Sequence, residues 1–354
     1  MKTNIVRTKK VDESKEYKMK NITASRKRIG CLGWGLRILL TGMIVLMILL
    51  SVGYTSQLKT TAADFQQFPA PGQLVDVGGY RMHIFCQGEG SPTVIVDSGL
   101  GDFSLSWSQV QPEVAQFSRI CSYDRAGYGW SDPHPVSRTA QQIALELHTL
   151  LDKANIEGPY VMVGHSLGGA HVRMFASLYP QEVVGMVLVD AMHEDLQTRD
   201  PQRVQDQQQL TAQWGVMKFM AQFGILRMMG KSAGEQSLPA HVKQLPADKQ
   251  EAYMILMSHP AFFETALGEW QVVDESCKQL RELGKLGDLP LVVLTAGNNL
   301  ESVWQSLQDE LASLSTNSAH VIAEGSGHFI HLDRPDLVIT AIQQVVDQSR
   351  ARTP

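Results

Sequence analysis

Apolar positions along the chain change rhythm several times, and each change marks an element. Leu74–Val77 and Tyr80–Cys86 read as short strands joined at Gly78-Gly79, a two-residue hairpin signature. Thr93–Asp97 is a continuous apolar strand and Arg119–Asp124 another, with helical spacing between them over Ser104–Phe117 that Pro112 interrupts. Ser137–Ala154 is a clearer helix, with Ser137 as its cap and Ile143, Leu147, Leu150 and Leu151 as its buried stripe. Tyr160–Val163 is a buried strand, Leu167–Tyr179 a helix stopped by Pro180, and Val183–Asp190 a further strand. Strands alternating with helices predict an α/β chain whose mostly parallel sheet is covered on both faces.

The alternation stops at Asp190. Residues 191–288 are rich in Gln, Met and Leu, with helical patches at Gln213–Met229 and Asp248–Met257 and no strand pattern. A helical, Met-rich insertion of this length is expected to be a lid over a site. Leu289–Ala296 resumes the strands, Val303–Leu314 is a helix, Ala319–Ala323 the last strand, and Pro335–Gln348 a closing amphipathic helix with proline in its first turn. The core therefore comes in two parts, 73–190 and 289–354, with no internal repeat.

Ahead of the core lies a different pattern. Ile38–Tyr54 is uncharged and apolar on every face, and extended back to Cys31 it is long enough to cross a bilayer. Residues 1–30 carry ten Lys/Arg against three acids, so the positive-inside bias puts the N-terminus in the cytoplasm and the chain beyond residue 55 outside. The expected order is a basic tail over 1–30, a membrane segment over 31–55 and a linker over 56–72. A cleaved signal peptide with Ala62-Ala63 near the cut is the alternative, which would leave a secreted protein.

Charge and cysteine content narrow the class. The 354 residues have a formal net charge of -5, and once the basic tail is set aside the rest is strongly acidic, so the folded part lacks the basic surplus that nucleic acid demands. Cys31, Cys86, Cys121 and Cys277 form no C-x-x-C or His/Cys cluster, so neither zinc nor another metal is expected. Cys86 and Cys121 fall on strands that can be neighbours, where a disulfide and two free thiols are both open.

Candidate chemistry centres on Gly164-His165-Ser166-Leu167-Gly168-Gly169, between an apolar strand and a helix. So sharp a strand-to-helix turn strains its central residue, excludes side chains on either side and leaves the serine hydroxyl exposed. A serine needs a hydrogen-bonded base. Of eleven histidines the best placed is His328, in the small-residue loop Gly325-Ser326-Gly327-His328-Phe329 after the last strand. Two backbone N–H groups should face a developing oxyanion, those of Leu167 and of Leu100 in Ser98-Gly99-Leu100-Gly101. The same stretch imitates a dinucleotide fingerprint but lacks its third glycine, so no cofactor is expected.

Serine before histidine is the chain order of the α/β-hydrolases. Residues 164–169 resemble that superfamily's nucleophile elbow. Asp124-Arg125-Ala126-Gly127-Tyr128-Gly129-Trp130-Ser131 resembles its D-x-x-G-x-G-x-S stretch, and Gly327-His328-Phe329 with Asp333-Arg334-Pro335 its terminal histidine loop. The resemblance covers residues 74–348 without the insertion. It implies a mostly parallel eight-stranded sheet and a membrane-anchored serine hydrolase of the esterase/lipase-like branch, acting on a small acyl substrate. A proline-type peptidase or an acyltransferase could use the same parts. Many relatives carry the triad acid in a G-x-x-D pattern after the seventh strand, but here Gly297-Asn298-Asn299-Leu300-Glu301 has leucine in that place. Asp190, at the end of the sixth strand, is preferred as the acid, with Glu301 the alternative and Asp195 behind them. The missing aspartate also leaves open an idle fold kept for binding. Oligomeric state is not legible.

Overall fold

Eight strands form one sheet in the order β1-β2-β4-β3-β5-β6-β7-β8. They are β1 (Gln73–Asp76), β2 (Arg81–Gln87), β3 (Thr93–Asp97), β4 (Ile120–Tyr123), β5 (Tyr160–His165), β6 (Val183–Val189), β7 (Leu291–Ala296) and β8 (Ser318–Ala323). β2 pairs antiparallel with β1 and β4, and the remaining pairings are parallel. The computed structural model describes residues 1, 13–134, 136–200, 202–233, 238–298 and 302–352.

Side chains that alternate along each strand feed two separate cores. Ile95, Met162, Met186 and Leu188 face one layer, packed on helices α3 (Ala140–Lys153) and α4 (Leu167–Leu178). Val94, Val96, Val161, Val163, Val187 and Val189 face the other, packed on α2 (Gln111–Val114) and α14 (Pro335–Arg352). Strands buried on both faces read as unbroken apolar runs, which is why they were visible in the sequence. The β1–β2 turn follows its glycines: Gly78 and Gly79 take φ of +123° and +100°, and the Asp76 Oδ1 accepts from both of their N–H groups.

Other boundaries differ from expectation. The cap of α3 is Thr139, whose hydroxyl accepts from the Gln142 N–H, rather than Ser137. Ser104–Phe117 holds only a 3-10 turn (Ser104–Trp107) and α2, with Pro112 in its first turn. Between β6 and β7 run α5 (Leu196–Arg199), α6 (Gln202–Gln222), α7 (Ile225–Ala233), α8 (Ala240–Lys243), α9 (Ala247–Met257), α10 (Pro260–Gln271) and α11 (Val273–Arg281). The patch read over Gln213–Met229 is broken between α6 and α7, where Gly224 turns at a φ of +72°. α12 (Ser302–Ala312) and the short α13 (Ile330–Asp333) follow β7 and β8.

The chain divides at Thr55 into two compact units. In the first, α1 (Glu13–Gln67) begins, and residues 33–49 are exposed throughout. Gly33–Gln67 is long and apolar enough to cross a membrane. The basic tail expected over 1–30 lies partly outside the described residues. In the second unit the stretch read as a linker, 56–72, is helical as far as Gln67. Tertiary contact overrides its weak pattern: the Asp64 carboxylate is buried and accepts from Arg227 at 2.6 and 3.1 Å and from His259 Nε2 at 2.9 Å.

Cys86 and Cys121 sit opposite each other in the β2–β4 register, their Cα atoms 4.0 Å apart, and are joined as a disulfide. Cys277 is a buried free thiol. Alkylation of the denatured, unreduced protein is expected to modify at most Cys31 and Cys277, and all four cysteines after reduction. Four adducts without reductant would exclude the bond.

Candidate active site

The β5–α4 turn is as tight as its sequence requires. A Cβ on Gly164 would lie 2.6 Å from the Gly168 carbonyl oxygen, and one on Gly168 would lie 2.4 Å from that of Asp97. Ser166 between them has φ 52° and ψ −120°, a left-handed conformation that side chains adopt only when the surroundings impose it. Its N–H donates to the Val189 carbonyl, and its own carbonyl accepts from Gly169 and Met192, which locks the turn to the end of β6.

One strand over, Asp190 is a second non-glycine residue at positive φ, 42°. The kink drives its fully buried carboxylate between β7 and the loop after β8. Oδ1 accepts from the Ala296 N–H at 3.0 Å and from the Trp304 indole at 2.9 Å. Oδ2 lies 2.6 Å from His328 Nδ1. With both carboxylate oxygens anchored, the ring is held with Nδ1 turned inward and Nε2 turned away. Ser166, His328, Leu100 and Leu167 line one cavity of about 310 Å³, whose other walls include Met192, Trp270 and Trp304.

The structure thus brings together Ser166, His328, Asp190, Leu167 and Leu100. Glu301 lies outside the described residues, and Asp195 is engaged elsewhere, accepting from Arg281 at 2.8 Å. Leu167 opens α4, so its N–H has no carbonyl one turn back within the helix.

The loop carrying Leu100 is braced by residues whose part was not legible in sequence. Arg125 is buried and donates to the carbonyls of Ser98 and Gly99 at 2.7 and 2.8 Å and to Asp97 at 2.7 Å. Its remaining edge is taken by Glu269 of α10, at 2.8 and 3.0 Å. Tyr128 accepts from the Gly101 N–H at 3.2 Å and donates to the same Glu269 at 3.1 Å. Burial alone would favour loss of the guanidinium's proton, but Glu269 and Asp97 outweigh it and push its pKa far up. Burial first, then Glu269, likewise pushes the Tyr128 hydroxyl well up, so it stays a donor. A helix of the insertion therefore holds the loop through two intermediaries. Glu269 follows Phe262 and Ala266 at helical spacing, and a carboxylate in that buried stripe was the available signal.

His165 braces the same region from behind. Its Nε2 lies 2.9 Å from the His328 carbonyl oxygen, and Gly99 packs so close that a Cβ there would come within 2.9 Å of its Nδ1. Burial, then the neighbouring histidines, holds its pKa well below 6.5. Asp102, His165 and His331 place ligand atoms within 4.8 Å of one another. Asp102 already receives Phe103 N–H, Ser106 Oγ and Tyr253 OH, and the His331 ring is stacked on Trp107. Of the set, Asp102 is thus occupied by bonds of the fold, while both His331 nitrogens and His165 Nδ1 are buried without a hydrogen-bond partner among the described residues.

The eight-stranded, mostly parallel sheet with a serine at a strand-to-helix turn is the architecture of the α/β-hydrolases. A family model described as alpha/beta hydrolase fold matches residues 92–335, and the chain belongs to that family. It is 28% identical over 268 residues to protein YqjL of Bacillus subtilis (strain 168), spanning 73% of this chain and 85% of that one. It is also 28% identical over 305 residues to the probable transporter efuK of Hormonema carpetanum, covering 79% of this chain but 43% of that protein's length. Among solved structures it resembles a thermophilic esterase from Thermogutta terrifontis, with a TM-score of 0.58 and 19% identity over 78% of this chain and 97% of the other. That likeness is one of fold.

Glu269→Ala leaves the Arg125 charge buried with part of its partner set gone, which is expected to cost about 3–5 kcal/mol of stability. Chemical denaturation of wild type and variant measures it. A change below about 1 kcal/mol would show that the clamp is not structural.

Proposed function

We propose that the chain is a hydrolase of carboxylic esters that works through an acyl-enzyme on Ser166. The observation that carries this reading is the pairing of a strained elbow serine with a histidine fixed 2.6 Å from a buried, doubly anchored aspartate, on one cavity. His328, with its Nδ1 proton directed at Asp190, takes the Ser166 proton on Nε2 as Oγ attacks the substrate carbonyl. The Leu167 and Leu100 N–H groups receive the oxyanion. His328 returns the proton to the departing alcohol, then draws one from the water that releases the acyl group. Asp190 stabilises the imidazolium throughout and keeps its own charge.

The insertion over 191–288 acts as the lid, supplying Trp270 and Cys277 to the cavity wall. Burial pushes the Cys277 thiol up to about 11, so it serves as apolar lining and not as a nucleophile. A cavity of about 310 Å³ is at the small end for ligand sites and suits a short acyl or aryl group.

The chain is anchored by residues 31–55, with its N-terminus in the cytoplasm and the hydrolase unit outside. The exposed apolar helix over 33–49, the basic residues before it and the Cys86–Cys121 bond, which persists in oxidising compartments, support this placement. A scan of p-nitrophenyl esters of graded chain length tests the function. Hydrolysis is expected to favour short chains, to vanish in Ser166→Ala, and to lose on the order of a thousandfold in kcat in Asp190→Asn. A fully active Asp190→Asn enzyme would remove Asp190 from the mechanism.

A further inference from the structure

Apolar side chains left on the surface of Ser56–Pro354 are concentrated on three helices. Among the described residues of that unit, ten large hydrophobics are exposed, and Leu74, Val136 and Leu145 are scattered singly. Five of the other seven lie on α6 and α7: Val216, Met217, Phe219, Met228 and Met229. The last two, Leu58 and Phe65, lie on the final turns of α1.

These two sets are tied together. Arg227, the neighbour of Met228, donates to Gln57 at 3.3 Å and to Asp64 at 2.6 and 3.1 Å, and α10 reaches the same Asp64 through His259. The interaction is buried, with Asp64 4% and Gln57 3% exposed, while Leu58 and Met228, the chain neighbours of Gln57 and Arg227, are 54% and 71% exposed. A buried ionic clamp therefore ties the end of α1 to α7, each of which carries exposed apolar side chains, and α6 adds three more.

The chain itself indicates what covers this face. Gln57 is three residues past Tyr54, so at most about 10 Å of chain separates the two. The headgroup layer on one side of a bilayer is roughly 5–8 Å deep. A helix pair clamped to Gln57 is thus tethered within about that reach of the headgroups wherever the preceding segment spans the membrane. Apolar side chains there are removed from water on entering the headgroup–acyl boundary, as on an interfacial helix.

We propose that α6, α7 and the last turns of α1 form a membrane-contact surface that seats the lid in the lipid interface. The inference rests on the reading of residues 31–55 as a membrane anchor, and its test separates the two.

Full-length protein with Cys31→Ser is inserted singly into nanodiscs of phosphatidylcholine and phosphatidylglycerol containing doxyl-labelled lipid. A fluorophore is placed in turn at Phe219→Cys, Met228→Cys, Val45→Cys and Leu145→Cys, each variant checked for an unchanged unfolding temperature. Quenching of about twofold or more is expected at 219, 228 and 45, with little at 145. Quenching at 45 alone would keep the anchor and overturn the surface. Loss of quenching at 45 as well would overturn both. Protection at 219 and 228 that arises only when two copies share a disc would assign this face to a second copy and overturn the lipid contact.

Discussion

A parallel strand that passes straight into a helix leaves no room for side chains beside the turn, and this constraint organises the site. Gly164 and Gly168 satisfy it, Ser166 bears the resulting strain, and the serine stands clear of the strand ends. Strain of this kind amounts to about 1–3 kcal/mol and persists only where the surroundings over-determine it. Here the determinants are the bonds from the turn to Val189 and Met192, at the end of β6. The neighbouring Asp190 is kinked in turn, so two adjacent strand ends share one strained rim.

From that rim the organisation spreads through buried polar groups rather than through the apolar cores. Asp190 joins the end of β6 to β7, to α12 and to the histidine loop. Arg125 joins the loop after β3 to α10 of the insertion, through Glu269. Asp64 joins the end of α1 to α7 and α10. Each carboxylate or guanidinium is buried with its bonding capacity used, and its cost of desolvation is offset only in one geometry. The insertion is thereby held to the loop after β3 on one side and to the end of α1 on the other.

Much of this was legible in sequence, for identifiable reasons. Strands buried on both faces must be continuously apolar, so Thr93–Asp97 and Val183–Val189 stood out within a residue of their bounds. The elbow and the histidine loop depend on small residues at fixed spacing, which local sequence displays. The acid was harder, because a carboxylate at a strand end looks alike whether it orients a histidine or ties a loop. Only in the fold does the Asp190 carboxylate meet Ala296, Trp304 and His328. Residues 56–67 read as a linker because their helix is stabilised by Arg227 and His259, more than a hundred and sixty residues away. The clamp on the Leu100 loop was hidden for the same reason, since Glu269 lies 144 residues from Arg125.

The central claim is that Ser166, His328 and Asp190 form one working nucleophilic unit. Labelling of the folded protein with a fluorophosphonate, followed by peptide mass spectrometry, tests it most directly. The account predicts a single adduct on Ser166 that does not form on protein unfolded beforehand and whose rate of formation drops by about a hundredfold or more in His328→Ala. A folded protein that takes no adduct at Ser166, or takes it equally fast without His328, would contradict it.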